Sequence, residues 1–248
     1  MSEHGPWTYG DAIVDIYDEW SQSLESLDTD SAVETLASLA GEGPVLELAI
    51  GTGRLALPLA ERGLDVHGID ISAEMVAKLR AKPGGEHITA TIGDLADVDV
   101  DRRFRLVFVV FNTFFALLSQ EDQVRCFANV AEHLTDDGVF VLEAFVPNLS
   151  RFEGGSQSSM QRVDLEDATV VDVAEHHAVE QRVETRHIVI HQDGIRCVPV
   201  QMRYAYPSEL DLMARLAGLR LRERWADWKR RPFGDDSTDH VSVYERRA

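Results

Sequence analysis

The chain has 248 residues, 44% of them hydrophobic, so it can bury a large core, and wholesale disorder is excluded. Lysine and arginine total 24 against 43 aspartates and glutamates, which gives a formal net charge of -19. Such an acidic chain repels phosphate backbones, so we expect neither a nucleic acid nor an anionic membrane as its partner.

The cellular compartment is indicated by three features of the sequence. Its two cysteines, Cys126 and Cys197, are too few for a disulfide scaffold and favour a reducing compartment. The start, MSEHGPWTYGD, has neither the basic nor the apolar segment of a signal peptide. The longest apolar runs, such as LVFVVF, are too short to span a bilayer. We therefore expect a cytoplasmic protein.

In chain order, the first elements predicted are two helices. Apolar residues at helical spacing predict a helix over 11–27. A second helix is predicted to open at Ser31, with Glu34 completing a capping box, and to end at Gly41.

Strands and helices then alternate, which predicts a parallel sheet with right-handed crossovers. Pro58, inside a predicted helix, is expected to kink it. The predicted strands are 45–49, 65–70, 88–92, 104–111 and 139–146, and the predicted helices are 53–62, 72–82 and 120–135.

The alternation of strands and helices is interrupted after residue 150. GGSQSS at 154–159 is typical of a mobile loop, and 168–206 carries alternating β-rich segments with a hairpin turn at 192–194. A helix at 207–217 and strands at 219–228 and 239–246 return to the αβ pattern. We divide the chain into lid helices and binding core (1–149), an antiparallel insertion that caps the substrate or joins subunits (150–206), and the rest of the core (207–248).

A glycine-rich bend follows the first core strand, in VLELAIGTGRLALPLA at 45–60. Gly51 and Gly53 let the backbone approach a ligand, and the first βα turn of a doubly wound sheet lies beside the usual ligand site. Asp70 follows Gly51 at about the 20-residue distance of a ribose-binding acid. The bend therefore predicts a nucleoside-containing cofactor.

Two more acids bear on which cofactor it is. A dinucleotide would place its pyrophosphate at the helix N-terminus, where Glu47 would repel it. Glu47 could instead receive an ammonium group, and Asp94 could accept from an adenine amino group. S-adenosylmethionine (SAM) combines ribose, adenine and ammonium without phosphate. An NAD-dependent oxidoreductase using the same bend stays open as an alternative.

The motifs ExxxGTG at 47–53, GIDIS at 68–72, IGDL at 92–95 and FNTFF at 111–115 resemble those of class I SAM-dependent methyltransferases. The resemblance implies an α/β, Rossmann-like, doubly wound seven-stranded sheet whose last strand is antiparallel, with the β insertion after the fifth strand. It implies cofactor contacts by Tyr17, Glu47, Ala49, Gly51, Gly53, Arg54, Asp70, Ile71, Met75, Asp94, Leu95 and Phe111. Arg54 would pair with the SAM carboxylate or simply face solvent.

A narrower resemblance is carried by YGDAIVDIYDEW, by the β insertion and by RYAYPSELDLMARLAGLRL. These segments resemble bacterial natural-product N-methyltransferases of the aminosugar or lincosamide antibiotic type. The resemblance implies methyl transfer to an amine nitrogen, leaving S-adenosylhomocysteine. It implies catalytic roles for Tyr9 and Tyr17. We also expect Phe115 to be catalytic, because it follows the fourth strand, next to the site. Substrate contacts are expected from the lid segment and from the residues after the fourth strand, namely Trp7, Tyr9, Asn112, Phe114 and Phe115.

Several alternatives remain. Phe114, Phe115 and Tyr17 could be ordinary core residues, and the acceptor atom could be oxygen. His176 and His177 lie in the insertion, and one of them could be a general base if the insertion caps the acceptor. His187 and His191 share a strand face, but methyl transfer from a sulfonium needs no metal, and we expect none. A homo-oligomer formed through the insertion is conceivable, because its edge strands are exposed.

Overall fold

The computed structural model describes residues 9–23, 28–150, 152, 158–164, 168–192 and 194–247. Predictions for Trp7 and for the loop at 154–157 lie outside these residues. Tyr9 begins the first helix, but its side chain is not among those described.

Eleven strands form two sheets. In chain order they are β1 (Val45–Leu48), β2 (Val66–Asp70), β3 (Thr89–Ile92), β4 (Phe104–Val109), β5 (Leu134–Phe145), β6 (Ser158–Asp164), β7 (Ala168–His177), β8 (Arg182–His191), β9 (Gly194–Arg203), β10 (Leu219–Trp225) and β11 (Asp239–Arg246). The core sheet has seven strands in the order β10-β11-β5-β4-β1-β2-β3. β11 runs antiparallel to both of its neighbours, while β1 to β5 pair in parallel. The predicted fold class is confirmed.

Seven α-helices accompany the strands among the described residues: α1 (Tyr9–Ile13), α2 (Tyr17–Ser23), α3 (Thr29–Ala40), α4 (Ala56–Glu61), α5 (Ala73–Ala81), α6 (Gln120–His133) and α7 (Pro207–Leu216). Helices α3, α4 and α5 bury their apolar sides in one cluster, and α6 and α7 in another, so the core sheet is covered on both faces. Of the helices described, none is long and apolar enough to cross a membrane.

The predicted helix over 11–27 is wrong in its continuity. It is two short helices, α1 and α2, joined by a turn. In that turn the carbonyl oxygen of Val14 accepts a hydrogen bond from Lys78 Nζ at 2.5 Å, whereas a continuous helix would use it for the amide of residue 18. We call α1, α2 and their connecting turn the lid.

The start of α3 also differs from the prediction. Asp28 is the N-cap and accepts from the Ser31 amide at 3.1 Å, so the helix opens at Thr29 and the predicted capping box is wrong. The predicted end at Gly41 is confirmed, with φ of 60° there.

Helix α4 is shorter than its predicted range of 53–62, because the bend keeps the residues up to Leu55 out of it. Pro58 is therefore the third residue of α4. The amides on either side of it, of Leu57 and Leu59, donate to the carbonyl oxygens of Gly53 and Leu55 at 3.0 and 3.1 Å. A proline in the first turn therefore removes at most one bond at the helix start and costs less than in a helix interior.

The second sheet, called here the insertion sheet, is antiparallel and runs β6-β7-β8-β9. It starts at Ser158, earlier than the predicted 168, so the end of the predicted loop belongs to a strand. The predicted hairpin turn is confirmed, because His191 pairs with Gly194.

A buried polar cluster ties the insertion sheet to the core. Arg203, at the end of β9, is 6% exposed. Its guanidinium donates to Gln123 Oε1 of α6 at 2.6 Å and to Glu209 Oε1 of α7 at 2.8 Å. Burial acts to raise the pKa of Glu209, but hydrogen bonds from Arg203, Gln181 and Gln120 hold it below its ordinary value.

Replacing Arg203 by methionine should lower the free energy of unfolding by about 3–5 kcal/mol, because the Glu209 carboxylate would lose its buried partner. Urea unfolding followed by circular dichroism measures this. The control Arg186→Met changes an exposed arginine of β8 and should cost less than ~0.5 kcal/mol. Equal losses in the two variants would show that the cluster does not hold the insertion sheet.

Candidate active site

The glycine-rich bend lies at the carboxyl end of β1, in the middle of the core sheet. Ala49 and Gly51 have φ of 58° and 56°, values that place both in the left-handed region. A Cβ added to Gly51 would meet nothing within 4 Å, so there is open space in front of this backbone. A Cβ on Gly53 would strike Leu79 and Leu57, so the glycine at this position also allows close helix packing.

Asp70, at the end of β2, is 8% exposed and fixes the bend. Its Oδ2 accepts from the Gly51 amide at 2.7 Å, and its Oδ1 accepts from the Ser72 amide at 2.8 Å. Burial raises the pKa of this carboxyl, although the two backbone hydrogen bonds act to lower it. Each oxygen keeps a lone pair for a further donor, as the predicted ribose contact requires.

Glu47 occupies the interior of β1 and is 4% exposed. Within the described part of the chain its Oε2 is buried without a hydrogen-bond partner. Burial raises its pKa to about 8; nearby Arg54 acts to lower it and Asp70 to raise it further. With that pKa the carboxyl is mostly protonated at pH 7, and a cation placed beside it favours the ionised form.

The third acid predicted for the site follows β3. Asp94 is exposed, and its Oδ1 accepts from the Ala96 amide at 2.8 Å, while Leu95 packs against the core. Because β1, β2 and β3 are parallel neighbours, Glu47, Asp70 and Asp94 belong to three adjacent strand segments of one sheet.

Two apolar residues predicted to contact adenine flank this edge. Ile71 leaves 58% of its surface exposed next to Asp70, an open apolar surface. Met75 is 3% exposed and packs with Ile13 and Val14 of the lid.

The lid is fastened directly to the bend. Asp18 Oδ1 accepts from Thr52 Oγ1 at 2.5 Å and from Lys82 Nζ at 2.9 Å. Lys82 also donates to the carbonyl oxygen of Thr52 at 2.9 Å. Ser72 Oγ donates to Asp11 Oδ1 of α1 at 2.5 Å. Both lid helices therefore have a polar attachment beside Asp70.

Tyr17 of α2 points its phenol into this group. Burial raises the pKa of the phenol; Arg54, which shares a hydrogen bond with it, acts to lower it, and Glu47 and Asp70 act to raise it. The structure thus brings Tyr17, Glu47, Arg54 and Asp70 together. Arg54 also donates to Thr29 Oγ1 at 3.0 Å, so it is held inside the site and does not simply face solvent.

The chain turns sharply after β4, where Phe111 and Asn112 have φ of 56° and 63°. Two successive left-handed residues are strained and need support. Glu143 Oε2 of β5 accepts from the Phe111 amide at 2.9 Å, and Asn112 Oδ1 accepts from the Phe145 amide at 2.7 Å. Arg54 lies 5.9 Å from the centre of the Phe111 ring.

Glu143 was missed by the sequence analysis. Its other oxygen accepts from Trp228 Nε1 at 2.7 Å. Burial raises the pKa of this carboxyl, and its hydrogen bonds from Phe111 and Trp228 act to lower it. The signal was present, because a lone acid interrupts the apolar strand VFVLEAF just as Glu47 interrupts VLEL.

Phe114 and Phe115 are fully buried, with 0% exposure. Phe114 packs on Phe127, and Phe115 packs on Phe145 with ring centres 5.0 Å apart. The structure therefore corrects the expected direct contact of these two rings with substrate: they support Phe145, which reaches the surface of a cavity.

That cavity, called here the insertion cavity, has a volume of about 950 Å³ and lies between the core sheet and the insertion sheet. The core contributes the ends of β4 and β5 and the loop before β11, and the insertion sheet contributes its inner face. The lining residues are Asn112, Phe145, Val146, Pro147, Asn148, Leu149, Phe152, Asp172, Ala174, Val183, Thr185, His187, Met202, Tyr204, Asp235, Asp236, Ser237 and Thr238.

The histidine that lines the insertion cavity is neither of the two considered as a general base. His187 lines the insertion cavity, with its Nδ1 2.5 Å from Asp172 Oδ1. His176 Nε2 lies 3.0 Å from the Tyr204 hydroxyl, and its ring stacks on Phe152. His177 instead lies 4.0 Å from Glu184. Of the two histidines considered as a base, neither is a lining residue of the cavity. Across the described residues there is no group of three or more His, Cys, Asp and Glu that could hold a metal.

The donor-side residues fit SAM in three respects. Open space faces Gly51, where a ligand can contact the backbone. The unpartnered Oε2 of Glu47 suits an ammonium group. The Asp70 carboxylate keeps acceptor capacity for hydroxyls.

Comparisons with known proteins agree with this fit. Residues 45–138 match the family model of a methyltransferase domain. The structure of the CcbJ methyltransferase from Streptomyces caelestis is 40% identical, with a TM-score of 0.90 over 99% of this chain and 100% of that chain. The cypemycin N-terminal methyltransferase from Streptomyces sp is 28% identical over 203 residues, 82% of this chain and 83% of that protein.

A third comparison supports the fold alone. SAM-bound CalS10, an amino pentose methyltransferase from Micromonospora echinaspora involved in calicheamicin biosynthesis, is 20% identical, with a TM-score of 0.69 over the full length of both chains. The 40% identity to CcbJ over nearly the whole chain shows membership of the same family as well as the same fold. With the glycine-rich bend and its acids in place, the chain belongs to the class I SAM-dependent methyltransferases.

Proposed function

We propose that the protein transfers a methyl group from SAM to an amine nitrogen of a small molecule, in natural-product biosynthesis of the aminosugar or lincosamide antibiotic type. The name of one relative supports nitrogen: the cypemycin enzyme methylates an N-terminus. The observation that carries the proposal is the charge of the insertion cavity. Its described lining holds Asp172, Asp235 and Asp236 but neither lysine nor arginine, and this favours a cationic acceptor.

On the donor side, each residue has a role that its position supports. Asp70 would accept from the ribose hydroxyls, Glu47 would pair with the ammonium, and Arg54 with the carboxylate. SAM, when bound, supplies a methyl group on a positively charged sulfur that leaves as a neutral thioether. The remaining contacts are proposed for Ala49, Gly51, Gly53, Ile71, Met75, Asp94, Leu95, Tyr17 and Phe111.

The protein's own contribution is alignment and exclusion of water. Trp20 of the lid packs against Tyr17 and against Phe111, with ring centres 6.2 and 5.7 Å apart, so aromatic rings line the boundary between donor site and insertion cavity. Such rings suit a sulfonium through cation–π attraction. The side-chain oxygen of Asn112 accepts a hydrogen bond from the Phe145 amide. Its side-chain nitrogen stays available to donate a hydrogen bond to the substrate that receives the methyl group.

Catalytic roles for Tyr9, Tyr17 and Phe115, and a substrate contact by Trp7, stay predictions. For Phe115, buried beneath Phe145, the role we propose is to position that ring. The division at residues 149 and 206, with the insertion as substrate cap, is also part of this proposal.

The setting of the enzyme is proposed on similar grounds. We infer a cytoplasmic location from the two free cysteines, and the absence of nucleic-acid and membrane partners from the net charge of -19. The edge strands β6 and β9 of the insertion sheet could pair between subunits, which would make the protein a homo-oligomer.

Binding of SAM should release a proton from Glu47. With a pKa of about 8 the carboxyl is mostly protonated at pH 7 in the free protein, and it must ionise to pair with an ammonium. Calorimetry at pH 7 in two buffers of different ionisation enthalpy should show release of most of one proton by the wild type and little by Glu47→Gln. Exposed Glu34→Gln is the control. Identical proton release by wild type and E47Q would contradict the ammonium contact.

Loosening the lid should speed the loss of SAM. Asp18→Asn removes the charge that joins Thr52 and Lys82 to α2.

 A partly exposed charged hydrogen bond is worth ~1 kcal/mol, so we expect SAM to dissociate about fivefold faster, as measured by stopped-flow fluorescence of the lid tryptophan. Asp15→Asn, an exposed change in the same lid, should leave the rate unchanged. Equal rates in all three proteins would show that Asp18 does not fasten the lid.

The proposed reaction is tested with two acceptors that differ at one atom. Purified protein with SAM should methylate 3-amino-3-deoxy-D-glucose and leave D-glucose unchanged, as followed by mass spectrometry. Thermal stability should rise with SAM and not with NAD. Methylation of oxygen in either sugar or in catechol, with no N-methyl product, would replace the proposal by the O-methyltransferase alternative.

A further inference from the structure

The inner face of the insertion sheet presents a histidine–aspartate pair that the proposed donor and acceptor contacts do not use. His187 of β8 stands directly opposite Asp172 of β7 in the strand register. The two side chains meet at 2.5 Å, between Nδ1 and Oδ1, and both line the insertion cavity. Their side chains are 20% and 27% exposed, so the pair is accessible from the cavity while being held by the sheet.

The contact with Asp172 defines which ring nitrogen of His187 is available. An ionised carboxylate can only accept hydrogen bonds, so Nδ1 carries the proton and donates it to Asp172. Nε2 is then the nitrogen with a free lone pair, and no described residue hydrogen-bonds to it. Orientation of an imidazole by a carboxylate on its other nitrogen is the arrangement used by histidine general bases.

The position of His187 relates the pair to the donor site. Trp20 of the lid lies 6.2 Å from the His187 ring and 5.7 Å from the Phe111 ring, measured between ring centres. Phe111 in turn lies under Arg54. Trp20 therefore packs near both His187 and Phe111, which is assigned to the SAM site, and this places the pair close to the donor.

Among the described residues that line the insertion cavity around His187 there are further acids but neither lysine nor arginine. Arg196 of β9 shares the sheet face of His187, one residue pair beyond Val198, but it is not a lining residue of the cavity. From β7 the facing titratable group is Asp172, from β9 the register partner is Val198, and from the lid the facing side chain is Trp20. Asp235 and Asp236 line the same cavity. These carboxylates attract an ammonium and also keep it protonated, so the site needs a base before the nitrogen can react.

We propose that His187, oriented by Asp172, is the general base that deprotonates the acceptor ammonium. The inference rests on the proposed function. The N–H bond of the ammonium breaks, its electron pair stays on nitrogen as the lone pair that will accept the methyl group, and the proton bonds to Nε2. After transfer the imidazolium returns this proton to water. The substrate class is an alkyl amine that arrives protonated, since such amines have an ordinary pKa of ~10.

The test compares pH profiles of His187→Gln with the wild type, using 3-amino-3-deoxy-D-glucose as acceptor. At pH 7 the variant should lose about 100-fold in kcat/KM for the amine, with an unchanged Kd for SAM by calorimetry. The loss should shrink to less than about tenfold at pH 9.5, where far more of the amine arrives unprotonated. The kcat/KM of Asp172→Asn should lie between those of the wild type and His187→Gln, because asparagine no longer fixes the imidazole tautomer.

His177→Gln is the matched control, since His177 belongs to the same sheet but does not line the cavity. It should behave as the wild type at every pH. A second measurement needs no activity: the imidazole proton NMR signal that is missing in H187Q should shift when the amine is added to the wild-type complex with S-adenosylhomocysteine.

Three outcomes would overturn the inference. The first is a loss of kcat/KM in H187Q that has the same size at all pH values, which indicates a structural role. The second is wild-type kinetics in H187Q. The third is a His187 NMR signal that does not shift when the amine is added. The proposed function fails separately, and the inference with it, if the wild type methylates oxygen acceptors but no amine.

Discussion

The site depends on burying carboxyl groups at the point where the core sheet meets the glycine-rich bend. Asp70 is satisfied by two backbone amides, and these same bonds hold Gly51 in its left-handed conformation and mark the start of α5 at Ser72. Glu47 is not satisfied, because one of its oxygens is buried without a partner. Asp70 therefore shapes the bend, while Glu47 has an unpaired buried oxygen that a cationic ligand can pair with.

A similar division applies on the acceptor side. Glu143 bonds to Phe111 and Trp228 and thereby supports the strained turn after β4. Asn112 bonds to Phe145 and also lines the insertion cavity. The far wall comes from the insertion sheet, which Arg203 ties to α6 and α7. The insertion cavity is thus bounded by the core sheet on one side and by a separately attached sheet on the other.

Much of this was predictable from local sequence patterns. The glycine spacing, the capping serine of α5 and the apolar β4 define the core strands and Asp70 without any long-range information. The pairing of Asp172 with His187 was not predictable. The two residues are 15 apart in sequence, and their contact depends on the register of the hairpin that β7 and β8 form. The burial of Phe115 and the turn that splits the lid likewise depend on contacts between distant segments, namely with Phe145 and with Lys78.

Trp20 gives the lid a consequence for the opening of the site. Its ring lies 5.7 Å from Phe111 and 6.2 Å from His187, so one helix contacts both the donor side and the insertion sheet. A displacement of this helix that changes its contact with Phe111 therefore also changes its contact with His187. Opening of the donor side and opening of the insertion cavity are mechanically coupled through one tryptophan.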